Sequence, residues 1–129
     1  MSGNDDNMVR LVGRVTSLDA PRELPSGDVV HTLRVTVPRP RARGRDRPGV
    51  DTLDVACWSA ATRRAASRLT VGMRVEVEGS LRRRFFRAGA AAASRYEVEA
   101  ARVRRLPDEA PATEEVRNRE ARRAPARLA

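Results

Sequence analysis

The sequence predicts an all-β fold, a five-stranded Greek-key barrel with one short helix between the third and fourth strands. Two observations carry this prediction. In five separate segments apolar residues alternate with polar ones, which is the period of half-buried strands. The one helical pattern lies between the third and fourth of these segments. At 129 residues the chain is long enough for one such domain but not for a second core.

The first two strands lie on either side of a turn-rich passage. In the first strand, which begins at Met8, the odd positions Val9, Leu11 and Val15 are apolar. Residues 19–28 contain two prolines and a glycine, which indicates turns. The second strand again has its more apolar set at odd positions, namely Val29, His31, Leu33, Val35 and Val37. Each strand therefore has one face suited to a core.

The third strand leads directly into the helix. Its apolar face includes Val55 and Cys57, and the segment AATRRAASRL that follows has a helical composition. Ser59 is a favourable N-cap for this helix. Gly72 is predicted to end the helix as its C-cap.

The fourth and fifth strands complete the barrel. The core face of the fourth strand is predicted to hold Val75, Val77, Leu81 and Phe85. Gly79 marks a bulge or bend within it. Residues 88–94 have small side chains and are interpreted as a loop tip, so the last strand runs from about residue 95 to residue 105. Its apolar phase shifts between Val98 and Val103, which indicates a bulge or a change of face.

The order of three strands, a helix and two strands is that of the OB-fold, a barrel whose sheet face and loops hold oligonucleotides. We assign residues 8–106 to this domain and residues 1–7 to a flexible N-terminus. Residues 107–129 are rich in Pro, Ala, Glu and Arg and have few large apolar groups. We therefore expect a tail that is disordered or weakly helical.

The charge of the chain favours a polyanionic partner. It has 26 basic residues, all of them arginine, against 17 acidic ones, a formal net charge of +9. In residues 107–129 five arginines balance five acidic residues, so the whole excess lies in residues 1–106. Such an excess is typical of nucleic-acid-binding proteins, and the alternative is a basic surface without a partner.

The sequence contains no arrangement suited to catalysis, to a metal or to a cofactor. Cys57 is the only cysteine and has no neighbouring cluster of Cys or His, which favours a reducing compartment. His31 is the only histidine, and we expect it to be buried and satisfied by a hydrogen bond. No apolar segment is long enough for a membrane span or a signal peptide. We therefore expect a soluble cytoplasmic protein that is not an enzyme and has no membrane partner.

A long loop between the second and third strands is the first candidate binding element. Residues 38–49 read PRPRARGRDRPG, and their prolines and glycines exclude a regular element. The loop has an arginine at every second position, namely Arg39, Arg41, Arg43, Arg45 and Arg47. On an extended backbone this spacing projects charge along one side, where it suits the phosphates of a flexible strand. The alternative is a solvated loop whose charge only prevents aggregation.

The outer end of the fourth strand is the second candidate. If Phe85 is in register with the core, then Arg82, Arg84 and Phe86 face outward together. An exposed ring beside cations suits the stacking of nucleic-acid bases. The alternative is that a bulge at Gly79 shifts the phase and places Phe86 in the core instead.

Trp58 is the third candidate. It lies on the polar face of the third strand, opposite the face that includes Val55 and Cys57. A large amphipathic ring in that place either meets a ligand or packs against the helix, and the residues leave both readings open.

The chain resembles the bacterial single-stranded DNA-binding protein family over about residues 7–103. The segments that carry the resemblance are NMVRLVGRVTSLDAPRELPSG at 7–27, VDTLDVACWSAATRRAASRLTVGMRVEVEGSLRRRFF at 50–86 and YEVEAARV in the last strand. The most specific parts are VGRVTSLDAP and GMRVEVEGSLRRRFF. The resemblance implies an OB-fold, base stacking at Trp58 and Phe86, and phosphate contacts by Arg22, Arg82 and Arg84. It also implies that the arginine-rich loop embraces the DNA and that four copies assemble as a homotetramer. The implied function is to bind and protect single-stranded DNA, without sequence specificity, in replication, recombination or repair at the nucleoid.

Two departures from the family pattern modify these expectations. Positions that are usually aromatic in the family fall near Arg41 and at Thr52 here, so we expect stacking to contribute less and charge more. The family's acidic, hydrophobic C-terminal tip, which recruits replication and repair enzymes, is not found in the final segment EARRAPARLA. We therefore do not expect this tail to recruit such proteins, as in a tailless paralogue. The alternatives are an OB-fold interaction module of the replication restart machinery and an RNA-binding OB-fold protein.

Overall fold

The computed structural model describes residues 4–40 and 49–108. Its elements in chain order are β1 (Val9–Leu18), β2 (Arg22–Glu23), β3 (Val29–Pro38), β4 (Val50–Cys57), α1 (Ala60–Ser67), β5 (Arg74–Ala88) and β6 (Ala91–Arg105). The predicted loop arginines at 41–47 lie outside the described residues, as does the tail beyond residue 108. The division of the chain into an N-terminal segment, a domain and a tail therefore stays a prediction at both ends.

The five long strands close into a barrel in the order β1-β5-β6-β4-β3, with β3 pairing back onto β1. All these pairs are antiparallel except β4 with β6. With α1 between β4 and β5, this is the OB-fold, and the predicted fold is confirmed. The two-residue strand β2, which the sequence did not indicate, pairs with the start of β3.

Barrel closure depends on β1, which pairs with two different strands. Residues 9–14 pair with β5, and residues 14–18 pair with β3. Gly13 lies where the strand passes from one partner to the other, and a Cβ atom there would lie 2.3 Å from the carbonyl oxygen of Thr36. Only glycine allows the two backbones to approach so closely, because any side chain would separate β1 from β3.

The core fills the barrel with small aliphatic side chains, as the alternation predicted. Its buried members are Val15, Leu33, Val35, Val55, Cys57, Ala66, Leu69, Val75, Val77, Val98 and Ala100. Of these, Ala66 and Leu69 come from α1 and the residues after it, so the helix covers the barrel interior. His31 is buried as expected, but its Nδ1 has no hydrogen-bond partner within residues 4–40 and 49–108.

The start of α1 was predicted correctly and its end was not. Ser59 is the N-cap, and its side chain accepts a hydrogen bond from the Thr62 amide at 3.1 Å. The helix ends at Ser67 with Arg68 as its C-cap, so the assignment of Gly72 as the C-cap was wrong. Gly72 instead has a φ of +100° in the following turn, where its amide donates to Val15 at 2.7 Å.

The strands β5 and β6 form a hairpin that is longer than predicted. The interpretation of residues 88–94 as a loop tip was wrong, because only Gly89 and Ala90 connect the two strands. Gly89 has a φ of +65°, which suits a tight turn. The alanines that follow are held extended by backbone pairing with β5, for example Ala93 opposite Phe86. Their side chains are too small to give the alternating pattern that indicates a strand in the sequence.

A bulge in this hairpin confirms the predicted change of phase. Glu78 pairs with Arg102, and Gly79 pairs with Ala100, so Ala101 is the extra residue in β6. A Cβ atom at Gly79 would lie 2.0 Å from the carbonyl oxygen of Glu99, which explains the glycine. Beyond the Leu81–Val98 pair, where the pairing of β6 with β4 ends, the hairpin extends past the end of the barrel.

Phe85 was predicted to be a core residue, and this was wrong. Phe85 is 72% exposed and Leu81, predicted on the same core face, is 43% exposed, because no strand within residues 4–40 and 49–108 covers this part of the hairpin. Phe86, on the opposite face, is 42% exposed, so the alternative that it replaces Phe85 in the core is also wrong. No helix in the described part of the chain has the length and apolar character needed to cross a membrane.

Candidate nucleic-acid interface

Trp58 lies at the centre of the candidate interface, directly after β4. Its backbone carbonyl accepts a hydrogen bond from the Arg63 guanidinium of α1, which holds the chain where the strand ends. Its side chain is half-buried, and the indole Nε1 is buried without a partner among the described residues. A buried N–H group without a partner is unusual in a folded protein.

A guanidinium group lies over the indole ring. The Cζ atom of Arg84 is 4.8 Å from the centroid of Trp58, a cation–π geometry. Arg84 also forms an ion pair with Glu97, which is 5% exposed and lies on the neighbouring strand β6. The carboxylate and the ring therefore fix the position of Arg84 together.

A second pair of ring and guanidinium lies further out along the same hairpin face. Arg95 pairs in register with Arg84 across the hairpin, and its Cζ atom is 5.4 Å from the ring centroid of Phe86. Since side chains two positions apart share a face of a strand, Phe86 points to the same side as Arg84. Aromatic rings and cations thus alternate from Trp58 to the hairpin end.

These side chains border an open groove of two adjoining depressions, of about 150 and 200 Å³. The first is lined by Arg22, Leu24, Val30, Thr32, Trp58, Arg84, Arg95 and Glu97. The second is lined by Ser17, Asp19, Thr32, Leu33, Arg34, Asp54, Val55, Arg95 and Glu97. Because both include Thr32, Arg95 and Glu97, they form one continuous path across β3, β4 and the hairpin.

The charges along this groove nearly balance. Its lining holds four arginines (22, 34, 84 and 95) and three carboxylates (19, 54 and 97), a net charge of +1. Arg34 is paired with Asp54 at 3.0 Å. A polyanion in the groove would therefore compete with carboxylates for these arginines, and the groove alone accounts for little of the charge excess of the chain.

The structure brings together five of the predicted site residues. Arg22, Trp58 and Arg84 line the groove, and Phe86 lies on the hairpin face that continues it. Arg82 lies on that face too, exposed and 3.3 Å from a Glu99 carboxylate oxygen.

Arg39 is set apart from this group. It is exposed and paired with Asp51 at 2.9 Å, and its amide donates to the Gly49 carbonyl at 2.8 Å across the base of the loop. Arg41, Arg43, Arg45 and Arg47 lie outside the described residues. At Thr52, where the resemblance led us to expect a missing ring, the hydroxyl hydrogen-bonds that of Thr36 at 3.0 Å.

Sequence reasoning missed Arg95 and Glu97. Both line the groove. The guanidinium of Arg95 lies over the Phe86 ring, and Glu97 forms an ion pair with Arg84. Their alternation with Tyr96 did indicate a shared face of the last strand. The residues of β5 that they face are set by the register of the hairpin. This register was not predicted, because residues 88–94 were interpreted as a loop tip and the tight turn at Gly89 was therefore missed.

An OB barrel with an open groove lined by rings and arginines is the architecture of proteins that bind single-stranded nucleic acids. A family model described as "Single-strand binding protein family" matches residues 6–106. The chain belongs to this family, and the resemblance found in the sequence is confirmed. Single-stranded DNA binding is accordingly its family function.

Among solved structures, the fold is similar to that of a Plasmodium falciparum SSB in complex with ssDNA. The TM-score is 0.69 at 21% sequence identity, and the match covers 83% of this chain and 100% of the other. This likeness supports the barrel topology. A direct search of curated proteins by sequence finds no match.

Proposed function

We propose that this chain binds and protects single-stranded DNA without sequence specificity. The observation that carries the proposal is the alternation of Trp58, Arg84, Phe86 and Arg95 along one open face. Stacking on the two rings suits any base, because every base has a π-face. Contacts of arginines with phosphates contain no base information either.

We propose the following roles for the individual side chains. Trp58 and Phe86 stack bases against their rings. Arg22, Arg82 and Arg84 contact phosphates, and Arg95 acts with them although the sequence did not single it out. Arg39 and the four further arginines of the 38–49 loop supply the charge that the groove lacks. The P. falciparum SSB, whose structure contains ssDNA, supports this reading through its similar barrel.

The cellular role that we propose follows the family. The chain acts by binding rather than by catalysis, at the nucleoid in the cytoplasm, in replication, recombination or repair. We also propose that it assembles as a homotetramer. Sedimentation should then give four times the 14.3 kDa chain mass, and a monomer at micromolar concentration would contradict this part of the proposal.

Fluorescence titration of Trp58 tests the proposed function. Trp58 is the only tryptophan of the chain, so its emission reports on one place in the groove. We expect strong quenching by oligo-dT, because a stacked base perturbs the indole, and little response to duplex DNA. Oligo-rU provides the comparison with RNA, since a protein that reads RNA uses the 2′-hydroxyl and would bind it more tightly than oligo-dT.

Anisotropy of a labelled oligonucleotide provides an independent measure of binding. Tight binding without a change in emission would assign Trp58 to packing and not to stacking. As a matched pair, Phe86→Ala should weaken binding, whereas Val71→Ala should not. Val71 is also an exposed apolar residue, 63% exposed, but it lies in the turn before β5.

A further inference from the structure

The part of the β5–β6 hairpin beyond the barrel has two faces, and only one borders the groove. We define the back face by the residues on its other side, namely Leu81, Arg83, Phe85, Arg87, Ser94 and Tyr96. The register places Arg83 opposite Tyr96 and Phe85 opposite Ser94, so these side chains point to one side. The proposed function makes no use of this face.

The back face is the outward continuation of the barrel's inner surface. Leu81 pairs with Val98, which is 2% exposed and belongs to the core. Further out no element of the described chain covers the hairpin, so Leu81, Tyr96 and Phe85 are 43%, 58% and 72% exposed. Large apolar side chains grouped in this way on a surface mark an interaction site more often than isolated ones.

The rings of the back face are organised around one guanidinium. The Cζ atom of Arg83 is 5.2 Å from the ring centroid of Phe85 and 5.7 Å from that of Tyr96. Ser94 accepts a hydrogen bond from Arg83 Nη2 at 3.1 Å and holds it in this place. The arrangement repeats the chemistry of the groove face, in which Arg84 and Arg95 lie over Trp58 and Phe86.

The two faces differ in their carboxylates, and this difference identifies the occupant. On the groove side, Glu97 and Glu99 neutralise Arg84 and Arg82. The back face has Arg83 and Arg87, and its four cross-strand pairs contain no acidic residue, namely Leu81–Val98, Arg83–Tyr96, Phe85–Ser94 and Arg87–Ala92. A surface that combines exposed rings with uncompensated cations is complementary to a polyanion that also presents flat bases.

We propose that the back face is a second binding surface for single-stranded DNA, on which bases stack against Phe85 and Tyr96 while Arg83 and Arg87 contact phosphates. The strand bound in the groove continues around the hairpin and contacts both of its sides. This inference rests on the proposed function, because it extends the path of the same ligand.

Moving the indole to the back face tests this proposal directly. In the double variant Trp58→Phe/Phe85→Trp the single tryptophan reports from the back face, and binding of oligo-dT of about 16 nucleotides is followed by anisotropy. We expect quenching of its emission at saturation. The control is Trp58→Phe/Val71→Trp, whose indole lies at the other end of β5 and should show none.

The two proposals fail in different ways. If the parent chain binds oligo-dT and its Trp58 emission is quenched, but the back-face indole does not respond at saturation, only the back-face proposal is overturned. If the parent chain binds no oligo-dT by anisotropy, the proposed function fails as well.

A second variant measures the contribution of the rings. Phe85→Ala/Tyr96→Ala should weaken binding of the oligonucleotide of about 16 nucleotides by about tenfold or more, with Val71→Ala unchanged. Both rings are more exposed than buried, so circular dichroism and thermal unfolding should match the parent chain. Unchanged affinity, or a loss of oligomer mass in sedimentation with unchanged affinity, would overturn the proposal, and the second result would make this face a contact between copies.

Discussion

Replacing Glu97 by glutamine should tighten the binding of single-stranded DNA. Glu97 is 5% exposed and pairs with Arg84, which lies over Trp58. Glutamine keeps an oxygen that accepts from the guanidinium, so Arg84 stays in place while one of the three groove carboxylates is removed. The net charge of the groove then rises from +1 to +2.

The size of the effect follows from the distance between the removed charge and a phosphate. Because the guanidinium lies between them, the two charges are about 8 Å apart, and their repulsion is about 0.5 kcal/mol in bulk water and about 2 kcal/mol at a dielectric of about 20. This range corresponds to an affinity about 2 to 30 times higher. The side chain of Arg84 is 41% exposed, and solvent screening places the expected value in the lower half of the range.

The assay is a titration with labelled oligo-dT at several salt concentrations. Freeing one cation should steepen the slope of log affinity against log salt by up to about 0.7. Glu78→Gln is the matched control. It removes the same charge from β5 beside Arg102, about 20 Å along the strand from Arg84, and should leave the affinity within about twofold. Weaker binding by Glu97→Gln with an unchanged slope would refute the reasoning, because Glu97 would then act by positioning Arg84 and not by its charge.

Three further predictions concern the loop, the barrel wall and the core. Replacing the loop arginines at 39, 41, 43, 45 and 47 by alanine should flatten the slope of log affinity against log salt and weaken binding to all sequences alike, whereas Phe86→Ala should cost about 1 to 3 kcal/mol and leave the slope nearly unchanged. If the loop variant keeps the salt slope of the parent chain, those arginines do not contact phosphates and the loop is only solvated. The hydrogen bond from Arg10 lowers the pKa of Glu76, so Glu76 stabilises the fold above its unfolded pKa of about 4.3 and loses this effect as pH falls through its folded value. In urea unfolding, Glu76→Gln should therefore be less stable than the parent at pH 7, with a difference that shrinks toward pH 3, and a constant difference would contradict the linkage. Burial raises the pKa of the Cys57 thiol to about 11, so native protein at pH 7.5 should react with iodoacetamide far more slowly than unfolded protein, and equal rates would refute it.

The sequence by itself determined the barrel and the order of its elements. Alternation along the strands identified the buried face, because a strand half in contact with a core must repeat every two residues. Ser59 marked the start of the helix through the hydrogen bond that its side chain offers, and Gly79 marked the bulge because a glycine inside a strand pattern indicates one. These signals are local, so they can be read without knowing what each segment packs against.

Only the tertiary structure decided the faces of the hairpin and the charge of the groove. The alanines after Gly89 are a strand because β5 supplies their backbone hydrogen bonds, and their own side chains add almost nothing to that choice. Phe85 continues the inward alternation but is exposed, since alternation gives the side on which a residue lies and not whether another element covers it. Likewise the pairing of Arg84 with Glu97 follows from strand register, which depends on contacts between residues thirteen positions apart. For this reason the sequence indicated one strongly basic face. In the structure the groove is nearly neutral, and the back face of the hairpin has Arg83 and Arg87 but no acidic residue in its own cross-strand pairs.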